Sequence, residues 1–192
     1  EYLPAVARGE KKITLAIAEK KANYLPDDIN LTAEKSGDAF ILNGNKFFVP
    51  YMEDADAVIC AARTSKNKNP GDGISLFLVP ASLPGITVKP TLMVSGEKAY
   101  LVTMDNVRTG GDTLLGKLDE GWPVLEKVLA RANVADCAIM VGLAQKAMEL
   151  TLDYARERIA FGHPIGAFQS IQHRCADMLV AVDGSRFITW QA

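Results

Sequence analysis

Apolar and polar residues follow two different periods along this chain of 192 residues. Up to about residue 117 they form short, often alternating runs bounded by Gly, Pro, Asn and Asp, which is typical of β-strands joined by turns. From Gly121 onwards, apolar residues recur at steps of three and four, which is typical of helices. The change of period predicts a β domain over residues 1–118 and a helical region over residues 119–192.

The first region carries many short strand signals. Ser36-Gly37-Asp38 predicts a hairpin turn, Asn43-Gly44 predicts a second turn, and the polar residues 66–72 predict a loop. We predict strands at residues 13–18, 30–35, 39–42, 46–49, 57–63, 74–79, 86–89, 98–104 and 113–115. Short strands separated by turns favour an antiparallel β-barrel or sandwich.

The second region predicts two long helices. The first begins at Gly121-Trp122-Pro123, keeps its period to about Arg158 and ends in Phe161-Gly162, and the second runs from about Phe168 to the end of the chain. Two helices cannot enclose the core of a four-helix bundle, so further sequence or a neighbouring subunit must cover their apolar faces. The fold class predicted is therefore α+β, with an incomplete helical bundle after the β domain. The chain lacks an initiator Met and stops inside a helical pattern, so we expect a piece of a longer protein.

Composition excludes several kinds of function. The net charge of −2 gives no reason to expect nucleic acid, and the absence of 18 consecutive apolar residues argues against a membrane span. Two histidines and three separated cysteines predict neither a metal site nor disulfides. A reducing compartment fits best, either the cytoplasm or, in a eukaryote, the mitochondrial matrix.

The junction between the two helices is the most specific motif. Its pattern is Arg158, Phe161-Gly162, Ile165, Phe168-Gln169, Ile171 and Ala176-Asp177. One interpretation is an ordinary helix–loop–helix corner with a solvated arginine. The other is a binding site, because the second helix offers free N–H groups and the positive end of its dipole. Arg158 adds a planar fork suited to a diphosphate, and Gln169 can bond a phosphate or an adenine edge.

This junction closely resembles the flavin-contacting helix junction of the acyl-CoA dehydrogenase family. Residues 42–49 (Leu-Asn-Gly-Asn-Lys-Phe-Phe-Val) and 57–64 resemble the family's middle β domain, and residues 142–147 resemble its first long C-terminal helix. The resemblance implies FAD as cofactor, an acyl-CoA thioester as substrate, and a role in fatty acid metabolism. It also implies electron-transfer flavoprotein or a similar acceptor as partner, and a homodimer or homotetramer. Arg158, Phe161 and Gln169 would then bind the FAD of a neighbouring subunit.

The same resemblance places the flavin ring beside Ile17, Ala18, Phe48, Val49 and Pro50. Ile17-Ala18-Glu19 stands where the family has Leu-Thr-Glu, and Phe48-Val49-Pro50 stands where it has Trp-Ile-Thr. Ala18 cannot supply the threonine hydroxyl, and Pro50 has neither a hydroxyl nor an N–H. Phe48 could stack on a flavin, although residues 47–49 could equally form a buried strand.

Two hypotheses about function follow. The first is an FAD-dependent acyl-CoA dehydrogenase that performs α,β-dehydrogenation, which the junction from Arg158 to Gln169 favours. The second is a non-catalytic relative that serves as a structural or partner-binding subunit, which Ala18, Pro50 and Asn133 (where the family has Arg) favour. We assign no catalytic base, because nothing in the sequence around the candidate carboxylates marks one of them as a base; these candidates are Glu19, Glu53 and Glu97.

Overall fold

The computed structural model of the chain describes residues 2–192. It contains two compact units, of which the first ends at Leu125 and the second runs from Glu126 to Ala192. The first unit holds a short helix and an eight-stranded sheet. Its elements are α1 (Tyr2–Ala7), β1 (Ile13–Ala16), β2 (Thr32–Ser36), β3 (Ala39–Pro50), β4 (Ala57–Arg63), β5 (Ile74–Pro80), β6 (Ile86–Thr91), β7 (Ala99–Gly110) and β8 (Leu114–Leu115).

The sheet runs in the order β6-β7-β3-β2-β4-β5-β8, and β1 pairs with β4 outside this path. Most neighbours are antiparallel, but β1 runs parallel to β4, and Thr32 pairs with Arg63 in a parallel sense. The predicted fold class, a β domain followed by long helices, is confirmed, and the sheet is mixed rather than purely antiparallel. Strand β4 has the predicted bounds, because its run of small apolar residues is buried almost throughout.

Of the two predicted turns, only the first is present. Ser36 pairs with Ala39 across the Gly37-Asp38 turn. Asn43-Gly44 is not a turn, because β3 continues through it and the register with β7 shifts there, as in a β-bulge. Gly44 has a φ of +143°, and a Cβ on it would lie 2.9 Å from the Cα of Leu31. The glycine therefore permits a close approach of two chain segments instead of a reversal.

The core of this unit is a single apolar cluster between the strands. Cys60 lies in it and is completely buried, and this burial raises the pKa of its thiol to about 11 although the ammonium of Lys46 opposes the shift. The buried members of the cluster are Ala16, Leu31, Ala33, Phe40, Leu42, Val49, Met52, Val58, Cys60, Ala62, Phe77, Val79, Tyr100, Val102, Met104 and Val107.

We expect Cys60 to resist alkylation by iodoacetamide in the native protein at pH 8, because its thiol is both buried and protonated. The folded pKa lies above the usual value of about 8.5, so the neutral thiol favours folding below that pH, and this contribution is lost as the pH rises towards 11. Peptide mapping by mass spectrometry measures the modification, with protein unfolded in guanidinium chloride as the control. Equal rates in native and unfolded protein would contradict the burial of Cys60.

The second unit consists of helices and a small hairpin. Helix α2 (Gly121–Glu157) begins in the first unit and continues into the second, where β9 (Ile159–Ala160), β10 (His163–Pro164) and α3 (Gln169–Gln191) follow. The predicted end of α2 in Phe161-Gly162 is wrong. These two residues have φ angles of +54° and +83° and form the turn between β9 and β10. A right-handed helix cannot contain such angles, so α2 ends at Glu157.

Helices α2 and α3 expose much apolar surface. Within the second unit a hydrogen bond of 2.8 Å joins Arg186 of α3 to Gln145 of α2. The large exposed apolar side chains of this unit on the two helices are Val128, Ile139, Met140, Leu143, Leu150, Tyr154, Leu179, Val180, Phe187, Ile188 and Trp190. Apolar surface of this extent is typical of a face that another protein segment covers.

By length and composition alone, α2 could also cross a membrane. Its apolar stretch nevertheless contains Arg131 and Asp136. Each charge at the centre of a membrane helix disfavours insertion by about 2.5–3.5 kcal/mol. These two charges favour a helix of a protein bundle, and the absence of a membrane span stays a prediction.

Candidate functional site

The two chain segments predicted to face a flavin ring lie side by side in the first unit. Ile17 and Ala18 follow β1 directly and are both buried. The amide N–H of Phe47 in β3 donates a hydrogen bond of 2.8 Å to the carbonyl oxygen of Ala18. The fold thus brings Ile17-Ala18 next to Phe48-Val49-Pro50, although about 30 residues separate them along the chain.

Phe48 has an unusual backbone conformation at this place. Its φ is +54°, which is rare for a bulky residue, and it lies where the register between β3 and β7 shifts. Phe48 is 37% exposed, whereas the next residue, Val49, is 1% exposed. The bulge therefore turns an aromatic ring out of the core, which is what a stacking role for Phe48 requires.

Positions 18 and 50, where the family resemblance implies side-chain hydroxyls beside the flavin, carry no hydroxyl in this chain. Pro50 has no N–H, and its carbonyl oxygen already accepts a hydrogen bond of 2.6 Å from the Thr14 hydroxyl. Ala18 has no polar side chain, but within residues 2–192 its backbone N–H finds no hydrogen-bond acceptor. Ala18 is only 4% exposed, so this N–H is a nearly buried donor that lacks a partner. These residues fit a flavin ring held by stacking and by backbone contacts.

A buried ion pair that no sequence pattern predicted adjoins this segment. The ammonium Nζ of Lys46 is 2.8 Å from Oε1 of Glu19 and 3.1 Å from the carbonyl oxygen of Ile17, and Lys46 is fully buried. Oε1 of Glu19 also accepts hydrogen bonds of 2.9 Å from the N–H groups of Asn30 and Leu31. The only sequence signal is the position of each charge, directly beside an apolar run.

The other two candidate carboxylates lie elsewhere in the first unit. Oε2 of Glu53 accepts a hydrogen bond of 2.7 Å from the hydroxyl of Tyr100. This bond raises the pKa of Tyr100 to about 12, and the loss of hydration on burial is the second cause of the rise. Glu97 is exposed and accepts only a long contact of 3.4 Å from the Ser95 hydroxyl. Neither carboxylate is joined by a hydrogen bond to the Ile17-Ala18 segment within residues 2–192.

The predicted phosphate-binding residues lie around the hairpin of the second unit. Arg158 follows α2, and its carbonyl oxygen accepts a hydrogen bond of 2.8 Å from the N–H of Ile165, which closes the hairpin. Its side chain is exposed and makes no hydrogen bond or ion pair with any other residue between 2 and 192. Arg156, two residues earlier, is instead paired with Asp153 at 3.1 Å. Arg158 thus offers a free guanidinium group.

Phe161 and Gln169 are available at the same hairpin. Phe161 occupies the tip of the turn and is 93% exposed, and its ring lies edge-on to that of Phe168 at 6.2 Å between centroids. Gln169 is the first residue of α3, whose N-cap, Phe168, makes no side-chain hydrogen bond to the helix. The free N–H groups of that first turn, together with the helix dipole, favour an anion. A cation, an exposed aromatic ring and an open helix end therefore share one short segment.

Comparison with known proteins assigns the chain to a family. Residues 14–107 match the acyl-CoA dehydrogenase middle domain, and residues 119–192 match the acyl-CoA dehydrogenase C-terminal domain. A probable acyl-CoA dehydrogenase of Bacillus subtilis is 31% identical over 100% of this chain and 51% of its own length. The human mitochondrial short-chain specific acyl-CoA dehydrogenase is 30% identical over 96% of this chain and 45% of its own length.

Solved structures agree with the sequence relatives. The structure of the glutaryl-coenzyme A dehydrogenase glutaryl-CoA complex superposes with a TM-score of 0.91 at 30% identity, covering 99% of this chain and 49% of that one. The chain spans about half the length of the curated relatives that it matches. The predicted family resemblance is confirmed: the chain belongs to the acyl-CoA dehydrogenase family, whose members are FAD-dependent oxidoreductases.

Proposed function

We propose that the protein containing this chain is an FAD-dependent acyl-CoA dehydrogenase that introduces an α,β double bond into an acyl-CoA thioester. The observation that carries the proposal is the hydrogen bond from Phe47 to Ala18. It joins the two segments that would face the flavin ring, in a fold unit that also turns the Phe48 ring outward. The exposed ring of Phe48, carried by a left-handed residue at the register shift between β3 and β7, supports a stacking role at this place.

Bound FAD would accept the hydride removed from the β-carbon of the substrate. Of this chain, the backbone at Ile17-Ala18 would contact one edge of the flavin, and Phe48 with Val49 would pack against the ring. Arg158, Phe161 and Gln169 would bind the diphosphate and adenine of FAD on a neighbouring subunit, which implies a homodimer or homotetramer. Their exposure and the free guanidinium group of Arg158 support this assignment.

The reaction also needs a base that takes the α-proton of the thioester. Glu19 is held by Lys46, and Glu53 is held by Tyr100, so we propose no base among these carboxylates. We propose that electron-transfer flavoprotein or a similar acceptor reoxidises the cofactor. We also propose that the protein acts in fatty acid metabolism within a reducing compartment, the cytoplasm or the mitochondrial matrix.

A second candidate function is that of a non-catalytic relative. It is favoured by Ala18 and Pro50, which remove two hydroxyls from the ring side, and by Asn133, which replaces an arginine. Such a protein would keep the fold and its interfaces and would serve as a structural or partner-binding subunit.

Anaerobic mixing of the FAD-loaded protein with a panel of acyl-CoA thioesters tests the two candidates against each other. The dehydrogenase predicts that at least one thioester bleaches the visible flavin band, with formation of the matching enoyl-CoA detected by mass spectrometry. Pantetheine without an acyl group is the control. A flavin band that no thioester changes would refute the dehydrogenase and leave the non-catalytic relative.

A further inference from the structure

We propose that the buried pair Lys46–Glu19 is a positioning device that aims the backbone N–H of Ala18 at the flavin. The proposal deepens the proposed function and rests on it, since it requires a flavin beside Ile17-Ala18. The device would fix a backbone donor that remains at this position although the alanine has no side-chain hydroxyl.

Burying the two charges of this pair costs free energy. Lys46 is fully buried and the Glu19 side chain is 10% exposed. Removing two charges from water costs several kcal/mol each, and replacement of such a pair by apolar residues often leaves stability unchanged or improves it. Stability alone therefore gives a weak reason for a lysine at this place, and the specific geometry that the pair imposes gives a better one.

That geometry fixes one peptide group. Nζ of Lys46 donates a hydrogen bond of 3.1 Å to the carbonyl oxygen of Ile17. The carbonyl of Ile17 and the N–H of Ala18 belong to the same planar trans peptide group, so they point in opposite directions. When Lys46 holds the carbonyl on its own side, the Ala18 N–H must point away from Lys46. This N–H has no acceptor within residues 2–192.

The neighbouring contacts keep this peptide group from rotating. The next carbonyl, that of Ala18, accepts the hydrogen bond of 2.8 Å from Phe47. Glu19 fixes the lysine in turn, because its Oε1 is bonded to Nζ and also to the N–H groups of Asn30 and Leu31. The segment 17–19 is thus attached to β3 through Phe47 and Lys46 and to residues 30–31 through Glu19, while the Ala18 N–H points away from Lys46.

A double variant, Lys46→Met with Glu19→Gln, tests the role without leaving a single buried charge. We expect it to fold, with the circular dichroism of wild type, and to bind FAD about tenfold more weakly, the scale of one lost hydrogen bond. We also expect the visible band of bound flavin and its reduction potential to shift, which a purely structural pair would not cause. The matched control is Lys117→Met with Glu120→Gln, which removes an exposed pair of 3.5 Å and should change none of these values.

A folded double variant with wild-type FAD affinity, spectrum and potential would overturn the positioning role alone. Wild-type protein that binds no FAD would overturn the proposed function and this role with it. If the double variant does not fold, hydrogen exchange of residues 14–20 in the wild-type protein, measured by mass spectrometry, tests the positioning role instead. FAD should slow exchange of the Ala18 amide at least about tenfold, and exchange that FAD leaves unchanged would refute the role.

Discussion

Lys46→Met alone is expected to lower the free energy of unfolding by about 3–5 kcal/mol, the typical cost of breaking a buried ion pair on one side. The substitution removes the ammonium group but leaves the Glu19 carboxylate with its side chain 10% exposed and its nearest cation gone. Two backbone N–H groups, those of Asn30 and Leu31, remain to stabilise that charge. They offset only part of the lost attraction.

Urea unfolding followed by circular dichroism measures this loss. Adding Glu19→Gln to Lys46→Met should restore much of the stability, because the amide carries no charge that needs a partner. Lys117→Met serves as the single-site control, since the side chains of Lys117 and Glu120 are 80% and 63% exposed. A Lys46→Met variant as stable as wild type would show that Lys46 and Glu19 do not form an ion pair in solution.

Arg158→Ala is expected to weaken FAD binding by about 10- to 150-fold, which corresponds to the 1.5–3 kcal/mol of a hydrogen bond to a charged group. The exposed guanidinium group has no partner within residues 2–192, so it is free for a phosphate oxygen. Arg158→Lys should keep part of the affinity, because an ammonium group retains the charge but not the bidentate geometry. Raising the salt concentration should weaken wild-type binding more than that of the alanine variant.

Titration of apoprotein with FAD, followed by quenching of flavin fluorescence, gives the dissociation constants. Arg156→Ala is the matched control, because that arginine lies two residues away and is occupied by Asp153. We expect it to leave FAD affinity unchanged. Equal losses in the two variants would mean that general positive charge, rather than Arg158, attracts the cofactor.

Much of the fold could be predicted from the sequence, because the strongest patterns are local. The small apolar run of β4 and the Gly37 turn each specify their own conformation. The start of α2 at Gly121 also follows from the change of period. Asn43-Gly44 misleads for a physical reason, since a glycine that permits close packing against Leu31 has the same local signature as a turn glycine. Its conformation is decided by tertiary contact.

The candidate site was less accessible to sequence reasoning. Periodicity gives no sign that Ile17-Ala18 would lie beside Phe48; only the family resemblance suggested that both serve one cofactor. The sequence pattern does not predict the Lys46–Glu19 pair, because a charged residue at the edge of an apolar run is typically exposed to solvent. Pairing over 27 positions becomes visible only when β3 folds against the segment after β1. The boundary of the two predicted domains, between residues 118 and 119, stays a prediction.

Binding of FAD is the central claim, and the visible absorption of the purified protein after gel filtration with FAD tests it most directly. The ring-side segment with its free Ala18 N–H, together with the open junction at Arg158, predicts a protein peak that retains about one flavin per chain. A protein peak that is colourless after incubation with excess FAD would contradict the proposed function.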